Sequence, residues 1–451
     1  MKAFLMHADR DFDLASDLPP QEQALMQDLA LDTLLGAMAA GDGLIYEVAK
    51  RALLLSLRDP EAIAYRQQLL TDCLGHPGVA HDLYSLAGEA LKAENSVWGS
   101  LLRDSPRSLL GNSVQKMELF VDFLRRLRQM ADEHSDKFDS EGFARFFAML
   151  REELDEPYFA LIDNHLKALQ FKGGMLMSAR LTTGNKGTGY TLRQQREQSL
   201  LERVFDRSGY SFTIPDRDEN GFRALSALEE RGVNLVANAL AQAVEHVHSF
   251  FTMLRVEIGF YLGCVHLAER LAELGEPTAF PVAVAPGAIA LSADGLYDVC
   301  LRLTTSEPVV GNDVAADQKS LVMITGANQG GKSTFLRSVG LAQLMTQAGM
   351  FVGAQSLRVN VCDGVFTHYK REEDEALESG KLDEELARMS EIADCITSNC
   401  LSCATSRSRL PTSGRGPRSR GSWWWRCSRQ VSRCCSSPTC SILRAVFITV
   451  V

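Results

Sequence analysis

Residues 321–335 read LVMITGANQGGKSTF, and the reading of this stretch organises the whole chain. Leu321 to Thr325 is an apolar, strand-like run. Gly326, Ala327, Asn328, Gln329, Gly330, Gly331, Lys332 and Ser333 then fit G-x-x-x-x-G-K-[ST], and a helical pattern runs from Thr334 through Phe335 to Thr346. Glycines allow a tight turn that aims backbone amides at phosphate oxygens, and the helix N-terminus adds positive potential. In such a loop Lys332 neutralises β and γ phosphates and Ser333 offers a hydroxyl to Mg²⁺, so ATP and Mg²⁺ are the expected cofactors. The rival reading is a glycine-rich turn that binds nothing. The strand before the loop and the helix after it argue against that rival.

Outward from the loop, Leu296 to Leu303 reads as a strand, Phe351 to Leu357 and Val359 to Thr367 as loop and strand, and Leu382 to Thr397 as a helix. The alternation predicts an α/β domain over 289–400. Hydrolysis also needs an acidic strand end for Mg²⁺ and a group that orients water. Asp363 follows apolar Leu357, Val359 and Val361 but reads as a turn residue. Glu372, Glu373, Asp374 and Glu375 read as a solvated acidic run. No catalytic residue is assigned.

The first 288 residues read as mainly helical. Apolar residues recur at three- and four-residue spacing over Leu25 to Leu54, Val79 to Ala93, Val114 to Met130, Phe143 to Leu169 and Phe222 to Leu274. A small β hairpin interrupts them at about 173–196, from Met175 to Leu181 and Tyr190 to Leu192 around a glycine-rich turn. Arg180, Lys186, Arg193 and Arg196 make this tip locally basic and are the DNA-contact candidates; an exposed hairpin with solvating cations is the plainer alternative.

Composition bounds these readings. The chain has 451 residues, 45% hydrophobic and 23% charged, which excludes a wholly disordered, fibrous or small disulfide-stapled protein. The net charge of -10 excludes a uniformly basic, nucleic-acid-coating surface. The six cysteines before residue 401 read as buried free thiols. The start is too acidic for a signal peptide, no run of about 18 apolar residues is free of charge, and a cytoplasmic location is expected.

Residues 401–451 break the pattern: nine Arg, no Lys, no Asp and no Glu, with three of the four Trp at Trp423, Trp424 and Trp425. The prolines Pro411, Pro417 and Pro438 and the clustered Arg argue against a buried central sheet, so this tail is expected to be aberrant and disordered, and the last third to fold poorly. Permitted codons for the same residues allow a second reading frame, displaced by two nucleotides. That frame encodes a strand ending in Asn-Glu, an amphipathic helix and a strand ending in Thr-His. A frameshift is therefore preferred over a genuine basic tail.

Several stretches together resemble the MutS family of DNA mismatch repair ATPases. They are TGANQGGKSTFLRSVGLAQLMTQAGMFVGA from Thr325 to Ala354, VCDGVFT from Val361 to Thr367, and EPVVGND from Glu307 to Asp313. The resemblance implies a multidomain protein with a helical core and lever region and an ABC-like P-loop ATPase domain, incomplete at its C-terminus. It implies that Val310 and Asn312 contact adenine, that Thr334 joins the phosphate site, and that the hairpin stands where the family carries a DNA clamp. It implies a homodimer through the ATPase domain, double-stranded DNA as partner, and a role in DNA repair or recombination. Three departures stand out. The chain opens in core-like helices where family members that read mismatches carry a further domain. Ser379, Gly380 and Lys381 are followed by Leu382 and Asp383 rather than the family's usual trans-acting loop. The acidic and histidine strands are missing from the literal frame. Impaired hydrolysis is expected, and the alternative is a nucleotide-dependent DNA-binding or scaffold protein without turnover.

Overall fold

A computed structural model describes residues 1–97, 105–171, 174–184, 187–193, 213–215, 217–327, 330–369, 390–392, 394–405 and 446–450. The helices are α1 (Glu22–Asp28), α2 (Leu31–Ala39), α3 (Gly43–Leu54), α4 (Pro60–Gly75), α5 (Pro77–Ser96), α6 (Pro106–His134), α7 (Glu141–Glu153), α8 (Glu156–Leu169), α9 (Glu219–Glu273), α10 (Val299–Thr304) and α11 (Lys332–Ala348). The strands are β1 (Leu176–Leu181), β2 (Gly187–Arg193), β3 (Val282–Val284), β4 (Leu291–Leu296), β5 (Asn312–Ala315), β6 (Leu321–Ile324), β7 (Ser356–Asn360), β8 (Val365–His368), β9 (Leu401–Thr405) and β10 (Val446–Val450).

These elements fall into two compact units that interleave in sequence. One comprises 1–3, 82–136 and 145–255, and the other 4–81, 137–144 and 256–451. The sequence reading divides the chain instead at 288/289 and 400/401.

The first unit is helical apart from one hairpin. α6 starts where Ser105 Oγ accepts a hydrogen bond from Ser108 N and Pro106 occupies the first turn, the position where proline's missing N–H costs nothing. Its buried stripe, Leu110, Val114, Met117, Val121, Leu124 and Leu127, has the period of a helix face. Phe120 stacks on Phe251 of α9 with ring centroids 5.7 Å apart. Buried Glu94 on α5 pairs with Lys116 of α6 and faces His248 Nδ1 of α9 at 3.5 Å. Such a carboxylate is tolerated inside only because it is paired. β1 and β2 pair antiparallel, as expected for the hairpin, with Leu176 opposite Arg193 and Leu181 opposite Gly187. α9 is long and apolar enough to meet the composition test for a membrane span, which the sequence reading did not foresee. Most of that apolar window is buried within the protein, as in a core helix.

The second unit holds two sheets. One has strand order β6-β10-β9-β8 and is wholly parallel. The other has order β3-β7-β4-β5, with β3 parallel to β7 and β4 antiparallel to both neighbours. α11 packs on β8, β9 and β10 and also meets α3 and α4. From Ser338 to Ala348 it is buried at every residue, as a helix enclosed on all sides must be. Among the described residues β6 is an edge strand of its sheet, and Leu321 and Met323 lie exposed on it.

Three expectations change here. Leu296 to Leu303 is not a strand: β4 ends at Leu296, and Asp298 caps the short helix α10 through Leu301 N at 3.0 Å. Cys395 is exposed, whereas Cys73, Cys264, Cys300, Cys362 and Cys400 are buried free thiols. Third, the residues after 400 do serve a central sheet. Leu401–Thr405 pairs with both β8 and β10, and Val446–Val450 lies between β6 and β9. The physical reason is local. The run Val446, Phe447, Ile448, Thr449, Val450 is β-branched and aromatic, which suits a strand covered on both faces. The closing run Ile442 to Val451, interrupted by Arg444, is too short to span a bilayer, but five residues suffice for a strand. Trp423, Trp424 and Trp425 lie outside the described residues.

Candidate functional site: the loop at the carboxyl edge of the parallel sheet

Because the four strands are parallel, their carboxyl ends share one edge. Ile324 is opposite Val450, Val450 opposite Thr405, and His368 opposite Ala404. Open α/β sheets place ligands along such an edge. The segment Thr325–Gly331 leaves β6 there and enters α11.

The loop's shape follows from its glycines. Gly326 has φ +155° and Gly331, the residue before α11, has φ +76°, a left-handed conformation open to glycine. A Cβ on Gly330 would lie 3.0 Å from the Ala327 carbonyl oxygen, and Gly330 N donates to that same oxygen at 3.2 Å. The loop is thus tight for a side chain at Gly330, whereas Gly326 and Gly331 are held to glycine by their backbone angles. Lys332 folds back over it: its Nζ donates to Gly326 O at 2.7 Å and Ala327 O at 2.8 Å. Ser333 is exposed at the first turn of α11 and Thr334 half-buried. The donor set is backbone amides, one ammonium and one hydroxyl at a helix N-terminus, which is the chemistry that suits a polyphosphate with a hard cation. Asn328 and Gln329 lie outside the described residues.

Two ties hold the start of α11. Arg337 on its second turn pairs through Nε with Asp298 Oδ2, which is buried. Burial pushes the Asp298 carboxyl up, and the Arg337 guanidinium pulls it back down. At the next residue, Ser338 Oγ donates back to Phe335 O within the helix at 2.7 Å.

The other end of α11 is held by a buried amide network. Gln347 Nε2 donates to Leu57 O at 2.8 Å and Cys362 O at 2.9 Å, while its Oε1 accepts from Gln343 Nε2 at 2.6 Å and Cys362 N at 3.1 Å. Leu57 N in turn donates to Gln347 O at 2.8 Å. Sequence reading missed both glutamines. Their only signal is polarity at positions where the helix period demands apolar residues.

The remaining candidates lie elsewhere. Asn312 begins β5 in the second sheet, its Nδ2 donating to Val310 O at 3.4 Å, and Val310 is 83% exposed. Among the described residues no hydrogen bond joins either to the loop. Asp363 is the turn residue expected: its Oδ2 accepts from Thr397 Oγ1 at 2.8 Å and its N donates to Asn399 O at 2.6 Å, at the end of the sheet where β8 and β9 begin. On the hairpin, Arg180 and Arg193 are exposed, and Arg193 Nε donates to Ser178 Oγ at 2.9 Å. Arg231 of α9 approaches Tyr190 with 5.9 Å to the ring centroid, a further cation beside the tip that the sequence reading did not select. Lys186, Arg196, Glu372 to Glu375 and Ser379 to Asp383 lie outside the described residues.

Residues 322–404, from β6 into β9, match the family model for MutS domain V, and residues 58–274 match that for the MutS2 N-terminal domain. The chain is a MutS-family-related protein. The DNA mismatch repair protein MutS of Chlorobaculum parvum is 27% identical over 362 residues, 70% of this chain and 40% of that protein. MutS of Clostridium botulinum is 37% identical over 110 residues, covering 24% and 12%, and MutS of Chloroflexus aurantiacus 45% over 73 residues, covering 16% and 8%. The MutS-related chain therefore spans less than half the length of these relatives. The strand, loop and helix described above lie almost wholly inside the matched MutS domain V segment.

Proposed function

We propose that this chain is an ATP-binding, DNA-binding member of the MutS-type P-loop ATPases, acting in DNA repair or recombination with hydrolysis impaired. The observation that carries the proposal is the glycine-shaped loop between β6 and α11, with the Lys332 ammonium drawn over its carbonyls. In this reading Gly326, Ala327, Asn328, Gln329, Gly330 and Gly331 present amides to phosphate. Lys332 would hold the β and γ phosphate oxygens in place of its two carbonyl partners, Ser333 would offer its hydroxyl to Mg²⁺, and Thr334 would complete the turn. Mg²⁺ would supply charge neutralisation across the phosphates. Val310 and Asn312 take the adenine, and their exposure leaves them accessible to a base.

A non-hydrolysing variant of the same reading has its own support. The strand ends that share an edge with the loop are His368, Thr405 and Val450, and none is a carboxylate. Phosphoryl transfer relies on a carboxylate there to hold Mg²⁺ and on a further group to orient water. The second reading frame would provide an Asn-Glu strand end in place of Ala404 and Thr405. The coding DNA across Asn399 to Cys403, read from its source, tests that frame.

The Arg180, Lys186, Arg193 and Arg196 cations then contact a DNA backbone, in a cytoplasmic homodimer closed through the nucleotide domain. The deciding experiment titrates ATP and Mg²⁺ into the full chain and follows phosphate release, with Lys332→Ala alongside. Binding that falls by about 100-fold in the variant, with negligible phosphate release in both, is expected. Equal binding by parent and variant would exclude the loop as the site, and brisk phosphate release by the parent would exclude impairment.

A further inference from the structure

The far end of α11 reaches a part of the chain more than 280 residues earlier in sequence. Arg66 on α4 is 2% exposed, and each nitrogen of its guanidinium has a partner: Nη1 donates to Ala348 O at 3.3 Å, Nε to Met6 O at 2.8 Å, and Nη2 lies 3.1 Å from His7 Nε2. Its cation also faces the rings of Phe12 and Phe260, at 5.9 and 5.8 Å from their centroids. Ala348 O is one of the carbonyls that a helix end leaves unpaired, and a cation there meets the negative pole of the helix. The fit is close: Gly349 has φ +80°, and a Cβ on it would lie 2.5 Å from Arg66 Cβ.

Met6, His7 and Phe12 belong to an irregular segment, Phe4–Phe12, that has no ladder partner. It is fastened by side chains instead. Glu257 of α9, fully buried, accepts from Leu5 N at 2.6 Å and Phe12 N at 3.0 Å. Tyr261 Oη donates to Leu5 O at 2.5 Å, and Tyr65 Oη donates to Phe4 O at 2.7 Å. Beyond these anchors, the outer side of the segment lines a cavity of about 1010 Å³ shared with Leu55, Arg58 and Glu61. The segment is therefore a strap: pinned through a few buried polar atoms on one side, with space on the other.

We propose that Arg66 is a positioning residue of the nucleotide site, acting through α11, and that nucleotide binding at the loop and closure of the Phe4–Phe12 strap are one coupled equilibrium. The proposal rests on the nucleotide reading given above. Its physical basis is that α11 is buried from Ser338 to Ala348 and gripped at its carboxyl end by Gln347 and Arg66, so a shift of the loop end is passed along as a rigid displacement. That displacement breaks or makes the Ala348–Arg66–Met6 chain of hydrogen bonds. Coupling of this kind is reciprocal: whatever factor ATP contributes to strap closure, strap closure contributes to ATP affinity.

The test uses the full chain, with two measurements on each protein: ATP affinity in the presence of Mg²⁺ by calorimetric titration, and amide hydrogen exchange over residues 4–12 with and without saturating ATP. In the parent, ATP is expected to slow exchange at Leu5 and Phe12 by about tenfold. Arg66→Lys keeps a cation but loses the planar fork that reaches two carbonyls and His7 together. It is expected to weaken ATP binding by about tenfold and to abolish the ATP-dependent protection. Glu257→Gln leaves every α11 contact in place and frees the strap from the other side; a parallel loss of affinity and protection supports the coupling. A merely structural role predicts lower melting temperatures with unchanged ATP affinity and unchanged ATP-dependent protection, and that result overturns the proposal. Should Arg66→Lys fail to fold, Glu257→Gln and the parent's own exchange data still decide. ATP binding without any change at Leu5 and Phe12 sinks the coupling alone, whereas no ATP binding by the parent sinks the nucleotide reading and the coupling with it.

Discussion

The two ends of α11 are built on opposite plans. Its amino end is exposed and made of backbone: three glycines, two carbonyls and one lysine drawn from seven consecutive residues. Its carboxyl end is buried and joined through side chains to distant places, with Gln343 and Gln347 reaching the backbone of Leu57, Asn360 and Cys362, and Arg66 reaching that of Ala348. A ligand-facing end must remain open, so its precision is stored in chain conformation. An anchoring end can exclude water, so its hydrogen bonds are made in a low-dielectric setting where leaving one unmade is costly.

If the contrast is real, breaking the anchor should damage stability more than any single change in the loop. Gln347→Leu strands Leu57 O, Cys362 O, Cys362 N and the Gln343 amide in a dry interior. A loss of about 4 kcal/mol is expected, read by urea unfolding. An unchanged midpoint would mean that the network is not what holds α11. A smaller cost, about 2 kcal/mol, is expected for Gly349→Ala, because the new Cβ meets Arg66 and alanine is strained at φ +80°. The matching change at the open end, Gly331→Ala, has the same left-handed strain but nothing within 4 Å of the new Cβ. It should cost about 1 kcal/mol, so the difference between the two isolates the Arg66 contact.

The gentlest probe is pH, and it separates His7 on the strap from Glu257 of α9, which holds it. Burial, reinforced by Arg66 and Arg10, lowers His7 from 6.5 to about 4, while burial raises Glu257 from 4.5 to about 7. Between pH 4 and 6.5 the unfolded chain binds the His7 proton and the folded chain does not, so this group's contribution is complete above 6.5 and is lost on acidification. For Glu257 the folded chain holds the extra proton between 4.5 and 7, so stability falls as pH rises through that window. Relative to the parent, His7→Gln should flatten the loss of melting temperature on acidification, and Glu257→Gln should steepen it. Parallel curves for all three proteins would remove both groups from the account.

What the sequence disclosed divides along the same line as α11. The loop, the hairpin and the long helices are local, each written in a period or a motif within one stretch. α9 was legible from Phe222 to Leu274 and runs Glu219–Glu273. The anchor was illegible, since no spacing rule connects Met6, Leu57, Arg66 and Glu257. The short helix α10 was misread as a strand because apolar residues at Leu301 and Leu303 suit either element, and the deciding signal, Asp298 as its cap, was passed over. β10 was passed over because its neighbours, rich in Arg, Ser and Cys, dominated the reading of a five-residue apolar run. Val310 and Asn312 were drawn from family resemblance alone, and their position, just before β5 and at its start, is a property of a second sheet that no motif marks.

One feature of the parallel sheet bears on handling the protein. Among the described residues β6 has no ladder partner on its outer side, and Leu321 and Met323 lie exposed along it. Natural sheets blunt such edges with lysine, proline or a bulge, and β6 has none of these. Concentrated solutions should consequently turn cloudy through strand-to-strand aggregation, with a lag that shortens as protein is added, and Met323→Lys should clear them.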